Sequence, residues 1–560
     1  MKTYAKMILV LLVFVFIIAL AVACAEPTTA PEVPEAELLS DESPPIDYAT
    51  THDTPPPDRE ALEEISLPIV DEHITLTVYS TISAMQTEFV HSFSDTPLVE
   101  EIARRTGIYM DFIHPPVGTE DQHFNLMIAA GDLPDLVFMF FNDLPGVPAS
   151  YRGGVEAAIQ EGVLIDVEPL VHRYAPNFRR LFFDGGENER LVRNDSGVLT
   201  GFGSFVAGTG TAYVGPMIRN DFLNLVGLPM PETIDDWTTV LTAFRDELDL
   251  PVPFGWTFGS DGGMMFHSSA FIGAYGLTLR GFSRQDGVAI FSPIHPDFSE
   301  FLTLMNRWYS EGLMNNDFAT QDYAEHIVPL MRTGDMGAAP THLWWLGHLY
   351  DEIREVNPDA DWVATPMPAL VQGQQIRLRN SWEGMWGGRH ITTANQHPVE
   401  TVMFLDWMYT DEAILLTNWG IEGVTFNMVE SLPEYTDYAL ENIARFGTLY
   451  SNEHITQAID MRRADGAYTL QVQHDAWETW GRATIDNIMP VGMTLTADES
   501  SRLASIMTDI ETFTDEMTLR FIIGAESLDN FESFVENVRA MGIDEAIAIM
   551  QAALDRYNAR

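Results

Sequence analysis

Three short stretches set flat rings beside glycines and hydrogen-bonding side chains. "FFNDLPG" carries Phe141, Asn142 and Asp143, "THLWWLGH" carries Trp344 and Trp345, and "RNSWEGMWGG" carries Arg379, Trp382, Glu383 and Trp386. Tyr213 in "TAYVGPMIRND", Trp256 in "PFGWTFGSDGG" and Trp419 in "NWGIEGVTF" stand in similar company. These rings fall outside the helical and strand periods that mark a buried face. The chemistry such a set can do is adhesion. A neutral sugar presents apolar C–H faces and in-plane hydroxyls, so a site for it wants flat platforms with a few polar groups at the edge. Ordinary packing is the competing account of each single ring, and Trp419 with Glu422 fits a cleft wall and a structural loop equally well.

Bond-making chemistry has less support. Two carboxylates can hydrolyse a glycosidic bond, but with 82 acidic residues chance pairs are everywhere and their spacing says nothing. No GxSxG, HExxH or P-loop pattern occurs. "FGSDGG" lacks the nucleophile elbow, and the glycines of "TGFGSFVAGTG" lack dinucleotide spacing. His342 and His348, six apart, fall on different faces of a helix and make a poor chelate. No catalytic residue, metal or cofactor is expected.

The single cysteine, Cys24, excludes an internal disulfide. Ahead of it come Lys2 and Lys6, the apolar run Met7 to Leu20, and the small residues Ala21, Val22 and Ala23, which together read as an export signal over 1–23. The apolar run is shorter than the roughly 20 residues of a spanning helix. Small residues directly before a cysteine, followed by an acidic proline-rich stretch, resemble the lipobox of bacterial lipoproteins, although the leucine usual three places earlier is Ala21 here. The resemblance implies that Cys24 is the lipid attachment point, holding the protein on the outer face of the cell membrane. Residues 24–66, rich in Pro, Glu, Asp, Ser and Thr, then read as an extended tether, with folded structure starting near Leu67.

Charge narrows the partners. The formal net charge of −52 becomes −54 without residues 1–23, and no lysine follows Lys6. Nucleic acid and anionic lipid head groups are repelled by such a surface. Solubility in a demanding exterior explains the charge without a specific cationic ligand. With 46% hydrophobic residues over 560 positions, the chain can build more than one core.

The elements that must position the rings begin with "HITLTVYS", a strand alternating Ile74, Leu76 and Val78. A helix over "PLVEEIARRTG" follows, with Leu98, Ile102 and Ala103 inward and Gly107 as its stop, then the strand "IYMDFIHPP". The helix "DQHFNLMIAAG" stops at Gly131, and "LPDLVFMFF" suits a strand buried on both faces. This order predicts a parallel sheet with crossover helices. In "PETIDDWTTVLTAF", Thr233 and Asp236 form a capping pair and Trp237 lies on an apolar stripe, so that ring is core. "IDEAIAIMQAALDRY" buries Ile543, Ile547, Met550 and Leu554 as a docking helix.

The motif order from residue 129 to the C-terminus resembles the extracellular solute-binding proteins of family 1, in their long lipoprotein branch. The stretches that carry it are "AAGDLPDLVF", "GVLIDVEPLVHRYAPNF", "IRNDFLNLVGLPMPETIDDWTTVLTAFRD", "NRWYSEGLMNNDF", "MRTGDMGA", "HPVETVMFLDWMYTDEA", "GIEGVTF" and "FVENVRAMGIDEAIAIMQAALDRYNA". The resemblance implies an α/β, two-lobed periplasmic-binding-protein-like (type II) fold with a hinge between lobes. It places lobe 1 at 67–145 and 363–415, and lobe 2 at 146–362 and 416–560. It also implies a monomer that performs no chemistry, captures an oligosaccharide between the lobes and hands it to ABC permease subunits. The segment after Trp344/Trp345's preceding turn lines the cleft in that family. Some members of the branch hold calcium in a loop after the helix that ends here near Arg245, but "DELDLPVPFG" lacks the alternating oxygen ligands and central glycine, so none is expected there. A peptide or sensory ligand in the same fold, or a surface glycan-degrading enzyme, are the alternatives.

Overall fold

A computed structural model describes residues 62–560 apart from 84–85, 117–118, 139–150, 152–153, 207–210, 213, 259–268, 322, 379–380, 383–384, 453, 461, 464–469 and 491. At some positions within helices and strands, Trp344, Trp345, Trp382 and Trp386 among them, only the backbone is described. Cys24 and most of the expected tether lie outside the described residues. Among the described residues no helix is long and apolar enough to cross a membrane. Packing begins slightly ahead of Leu67: the Leu62 N–H donates to the Arg173 carbonyl at 2.9 Å, and Ile65 is buried.

The expected strand and helix order opens the fold. β1 (Ile74–Ser80) pairs in parallel with both β2 (Ile108–Ile113) and β3 (Leu136–Phe138), and helices Pro97–Thr106 and Glu120–Ala130 make the crossovers. The first helix starts at Thr96, whose hydroxyl accepts the Val99 N–H, and stops at Gly107 with φ of 81°. It buries Leu98, Val99, Ile102 and Thr106, while Ala103 is only half-buried.

Besides an isolated hairpin of Phe282–Gln285 and Val288–Phe291, the later strands are β4 (Phe202–Val206), β5 (Thr211–Ala212), β6 (Val214–Arg219), β7 (Val252–Phe254), β8 (Met336–His342), β9 (Trp362–Ala364), β10 (Ser381–Trp382), β11 (Met385–Ile391), β12 (Phe426–Val429), β13 (Leu432–Tyr435) and β14 (Ala458–Ile459). One sheet has the order β14–β4–β11–β3–β1–β2 and the other the order β9–β6–β8–β7. Each has its own core. Leu76, Val78, Phe178, Phe182, Phe202, Leu405 and Ala458 pack together on the first sheet. Trp237, Phe254, Trp308, Met550 and Leu554 pack together in the second lobe.

These cores move the expected lobe boundaries. Helices Glu168–Tyr174 and Pro176–Phe182 bury Val171, Phe178 and Phe182 against the first sheet, so the chain leaves that lobe between Val206 and Val214, well after residue 145. Asp406 explains why they stay there: its carboxylate accepts the Asn177 and Phe178 N–H groups at 3.2 and 2.7 Å, across 229 and 228 residues of sequence. The return falls between Ala364 and Met385, because Trp362–Ala364 is still a strand of the second sheet. The final exchange falls between Ile459 and Gln471, after Leu416, Ile455 and Ala458 have packed in the first core. The signal missed was β4, a short strand with Gly203 inside it.

The capping pair forms as expected, with Thr233 accepting from the Asp236 N–H and the Asp236 carboxylate accepting from the Thr233 N–H, and Trp237 is fully buried. Helix Ile543–Ala559 buries Ile543, Met550 and Leu554, but Ala546 and Ala553 share that face and Ile547 is half-buried. From this helix Arg556 reaches Asp195 of the first lobe at 2.5 Å, and Arg560 pairs with the same carboxylate.

Candidate functional site

The strand directions gather the described ends of the ring-bearing strands on one edge of each sheet. In the first sheet β3, β4 and β14 run the same way and β11 runs against them. β3 therefore ends, at Phe138, on the edge where β11 begins with Met385 and Trp386. In the second sheet β7 and β8 are parallel and β6 opposes β8. Trp256 after β7, and Trp344 and Trp345 after β8, thus lie on the edge where β6 begins. All three chain passages between the lobes leave from these same two edges, which is where open α/β sheets expose their ligand-binding loops.

Register brings distant residues closer still. Trp382 pairs with Thr211 and Ser381 with Ala212, in a two-stranded ribbon between the main sheets. His342 pairs with Val214 and Thr341 with Gly215 on the other side. Trp386 stands opposite Ser204, next to a bulge that runs to Arg389. Residues 211–215 are therefore a hub with Trp382 on one flank and the start of helix Leu343–Val356, which carries Trp344 and Trp345, on the other. Gly215 must be glycine, since a Cβ there would lie 2.3 Å from Trp480 Cε2, in a ring whose Nε1 donates to the Pro216 carbonyl at 3.3 Å. Phe141, Asn142, Asp143, Tyr213, Arg379 and Glu383 themselves lie outside the described residues, as do the side chains of Trp344, Trp345, Trp382 and Trp386.

Two predicted rings are corrected. Trp256 is 2% exposed and stacks on Phe318 at 5.2 Å, its backbone clamped by Asn315, which accepts its N–H at 2.8 Å and donates to its carbonyl at 2.9 Å. Trp419 is 1% exposed, lies 4.4 Å from the Tyr435 ring and donates its indole N–H to Asp460 at 2.9 Å. Both rings have given their faces to neighbouring side chains, so neither offers a platform to a solute in this structure.

Three polar residues support the edges, of which Arg389 and Gln473 were missed by sequence reasoning. Arg389 is buried in the first sheet without an acidic partner among the described residues. It donates to Ser204 Oγ at 2.8 Å and to the carbonyls of His454 and Thr456 at 3.0 and 2.7 Å, and lies over Phe138, the last described residue before Phe141–Asp143. Burial pulls its pKa down to about 10, so it keeps its charge at neutral pH. His342 is pulled down to about 4 by burial and is neutral. Gln473, also buried, donates to the Leu343 carbonyl at 2.8 Å and holds the first residue of the helix that carries Trp344. The one visible signal was an arginine inside the otherwise uncharged "MWGGRHI". Among the described residues no group of three or more His, Cys, Asp or Glu could hold a metal ion.

Two lobes with separate sheets, joined by three passages that run between facing strand ends, decide the fold. The chain has the two-lobed fold of solute-binding proteins. An extracellular solute-binding protein from Bifidobacterium longum subsp. infantis superposes with a TM-score of 0.71 at 14% identity, covering 87% of this chain and 99% of that one. FusA of Streptococcus pneumoniae, a fructooligosaccharide ABC transporter substrate-binding protein, is 21% identical over 490 residues, 82% of this chain and 87% of its own length. Its structure in complex with kestose superposes with a TM-score of 0.69 at 18% identity and covers 87% of this chain and all of that chain. Lipoprotein LipO of Bacillus subtilis (strain 168) is 23% identical over 378 residues, 65% of this chain and 69% of its own. No family model matches the chain. In this fold the backbone of Trp344 and Trp386 lies at strand ends from which the chain passes between the lobes, and that of Trp382 lies in the ribbon along one passage.

Proposed function

We propose that this chain is an extracellular receptor of an ABC importer, held at the membrane by lipid on Cys24, that captures an oligosaccharide between its lobes without altering it. The observation that carries the reading is the meeting at Thr211, Ala212, Val214 and Gly215 of ring-bearing segments some 130 to 170 positions apart, with the backbone of Trp344, Trp345, Trp382 and Trp386 at or beside the strand ends where the chain changes lobes. Flat rings there match the apolar faces of sugar units, and their neighbours Asn142, Asp143, Arg379 and Glu383 supply the polar edge. The kinship with a fructooligosaccharide-binding protein and with a lipoprotein supports the cargo class and the anchor. The protein works as a monomer, and closure follows from contacts that one solute makes to both lobes at once.

Titration calorimetry against a panel of neutral oligosaccharides that includes kestose tests this reading. At least one saturable partner is expected, and Trp382→Ala should weaken it about 10- to 100-fold, the value of one lost stacking platform. A panel without any saturable binder, or a Trp382→Ala variant that binds as well as the parent, would sink the sugar assignment.

A further inference from the structure

The first lobe carries an apolar ridge that its own core does not use. Six of the thirteen exposed large apolar side chains among the described residues fall between Val424 and Leu440. Met428, Val429 and Leu432, which are 41%, 43% and 57% exposed, crown the hairpin of β12 and β13, where Val429 pairs with Leu432 across a two-residue turn. Val424, Tyr438 and Leu440 extend the patch at its foot. Burying such groups on a partner is favourable, and their clustering is what separates an interaction surface from scattered exposure.

The ridge is ringed by one sign of charge. Glu422, Glu430, Glu434, Asp437 and Glu441 are all exposed and form no ion pair with a described residue, and no lysine or arginine occurs between Glu422 and Arg445. At the tip, Glu430 and Ser431 hold left-handed backbone with φ of 49° and 71°, a turn that Asn-Gly would make without strain. The chain thus keeps a carboxylate where local backbone energetics favour asparagine or glycine, and a serine where they favour glycine. At the foot the hairpin is fixed: Phe426 is buried, and Tyr435 packs on Trp419, which is bonded to Asp460 just before the chain departs for the second lobe.

We propose that this hairpin is the docking ridge for a partner protein whose face is apolar at the centre and basic at the rim, namely the outer face of the importer's membrane subunits. The identity of that partner rests on the receptor reading above; the ridge does not. Charge decides against the other occupants. A second copy would bring the same five carboxylates and the same net charge of −52 against the first, and anionic lipid head groups repel the rim in the same way.

The test uses the full-length chain in its own cells, with the photoreactive residue p-benzoylphenylalanine placed at Met428 or Leu432, and at Leu225 as a still more exposed control on the second lobe. Irradiation should join the ridge positions to a multi-spanning membrane protein through a peptide that includes basic residues of an extracellular loop. A homodimer adduct, a lipid adduct, or no adduct above the Leu225 control would overturn the proposal. In parallel, the double variant Met428→Asp/Leu432→Asp should bind oligosaccharide within about twofold of the parent while uptake of the labelled sugar falls by about tenfold or more. Unchanged uptake would also overturn it. If the parent chain binds no oligosaccharide, the receptor reading fails while the crosslink still decides the ridge.

Discussion

The two cores hold themselves together by different means. In the second lobe Trp308 packs edge-on to Phe271 and Phe254 at 5.0 and 5.6 Å, Trp237 meets Phe271 at 5.0 Å, and the Trp308 indole N–H donates to Thr238 Oγ1 at 3.0 Å. In the first lobe the buried joints are polar: Asp406 on Asn177 and Phe178, Arg389 on Ser204 and Thr456, Tyr409 on the Gly203 carbonyl, Trp419 on Asp460. The first core is assembled from two segments, one of which returns to it from the other lobe at β11, and that return must dock in one register. Directional bonds select that register where apolar packing alone would tolerate a slip. Most of the second core comes from one long passage closed by C-terminal helices, and interlocking rings suffice.

The contrast can be broken most forcefully in the second lobe. Trp308→Ala should cost about 3–5 kcal/mol through the cavity it leaves, read as a lowered urea midpoint, with the loss confined to the transition of that lobe if the lobes unfold separately. A cost under about 1 kcal/mol would mean the rings are not the organising contact.

Asp406→Asn comes next. It sets an amide group against the two Asn177 donors and should cost about 2 kcal/mol. It also isolates a pH effect. Burial pushes the Asp406 carboxyl up to about 6 despite the N–H groups it accepts, above the roughly 3.9 of an unfolded aspartate. The folded state therefore binds the proton more tightly, so this group adds stability as pH falls from about 6 to about 4 and adds none above that window. The difference in melting temperature between parent and variant should widen on acidification through that range. A constant difference would show that the carboxyl titrates at its ordinary value.

The smallest effect is expected from Trp419→Phe, which retains a ring beside Tyr435 but removes the donor to Asp460, at about 1 kcal/mol in urea unfolding. An unchanged midpoint would place Trp419 with the packing rings of the second lobe and blur the distinction.

Local patterns were legible from residues alone. The β1 to β3 order with its crossover helices, the glycine stops at Gly107 and Gly131, the Thr233–Asp236 cap and the burial of Trp237 all depend on neighbours within about four positions, and sequence carries that information directly. Composition likewise determined a strongly acidic chain with arginine as its working cation. What only tertiary structure decided was membership: which lobe receives residues 146–206 and 416–460, and whether a ring such as Trp256 or Trp419 faces a neighbour or a solute. Those outcomes turn on single bonds such as Asp406 to Phe178 or Trp419 to Asp460, whose partners lie 228 and 41 residues apart and leave no periodic trace along the chain.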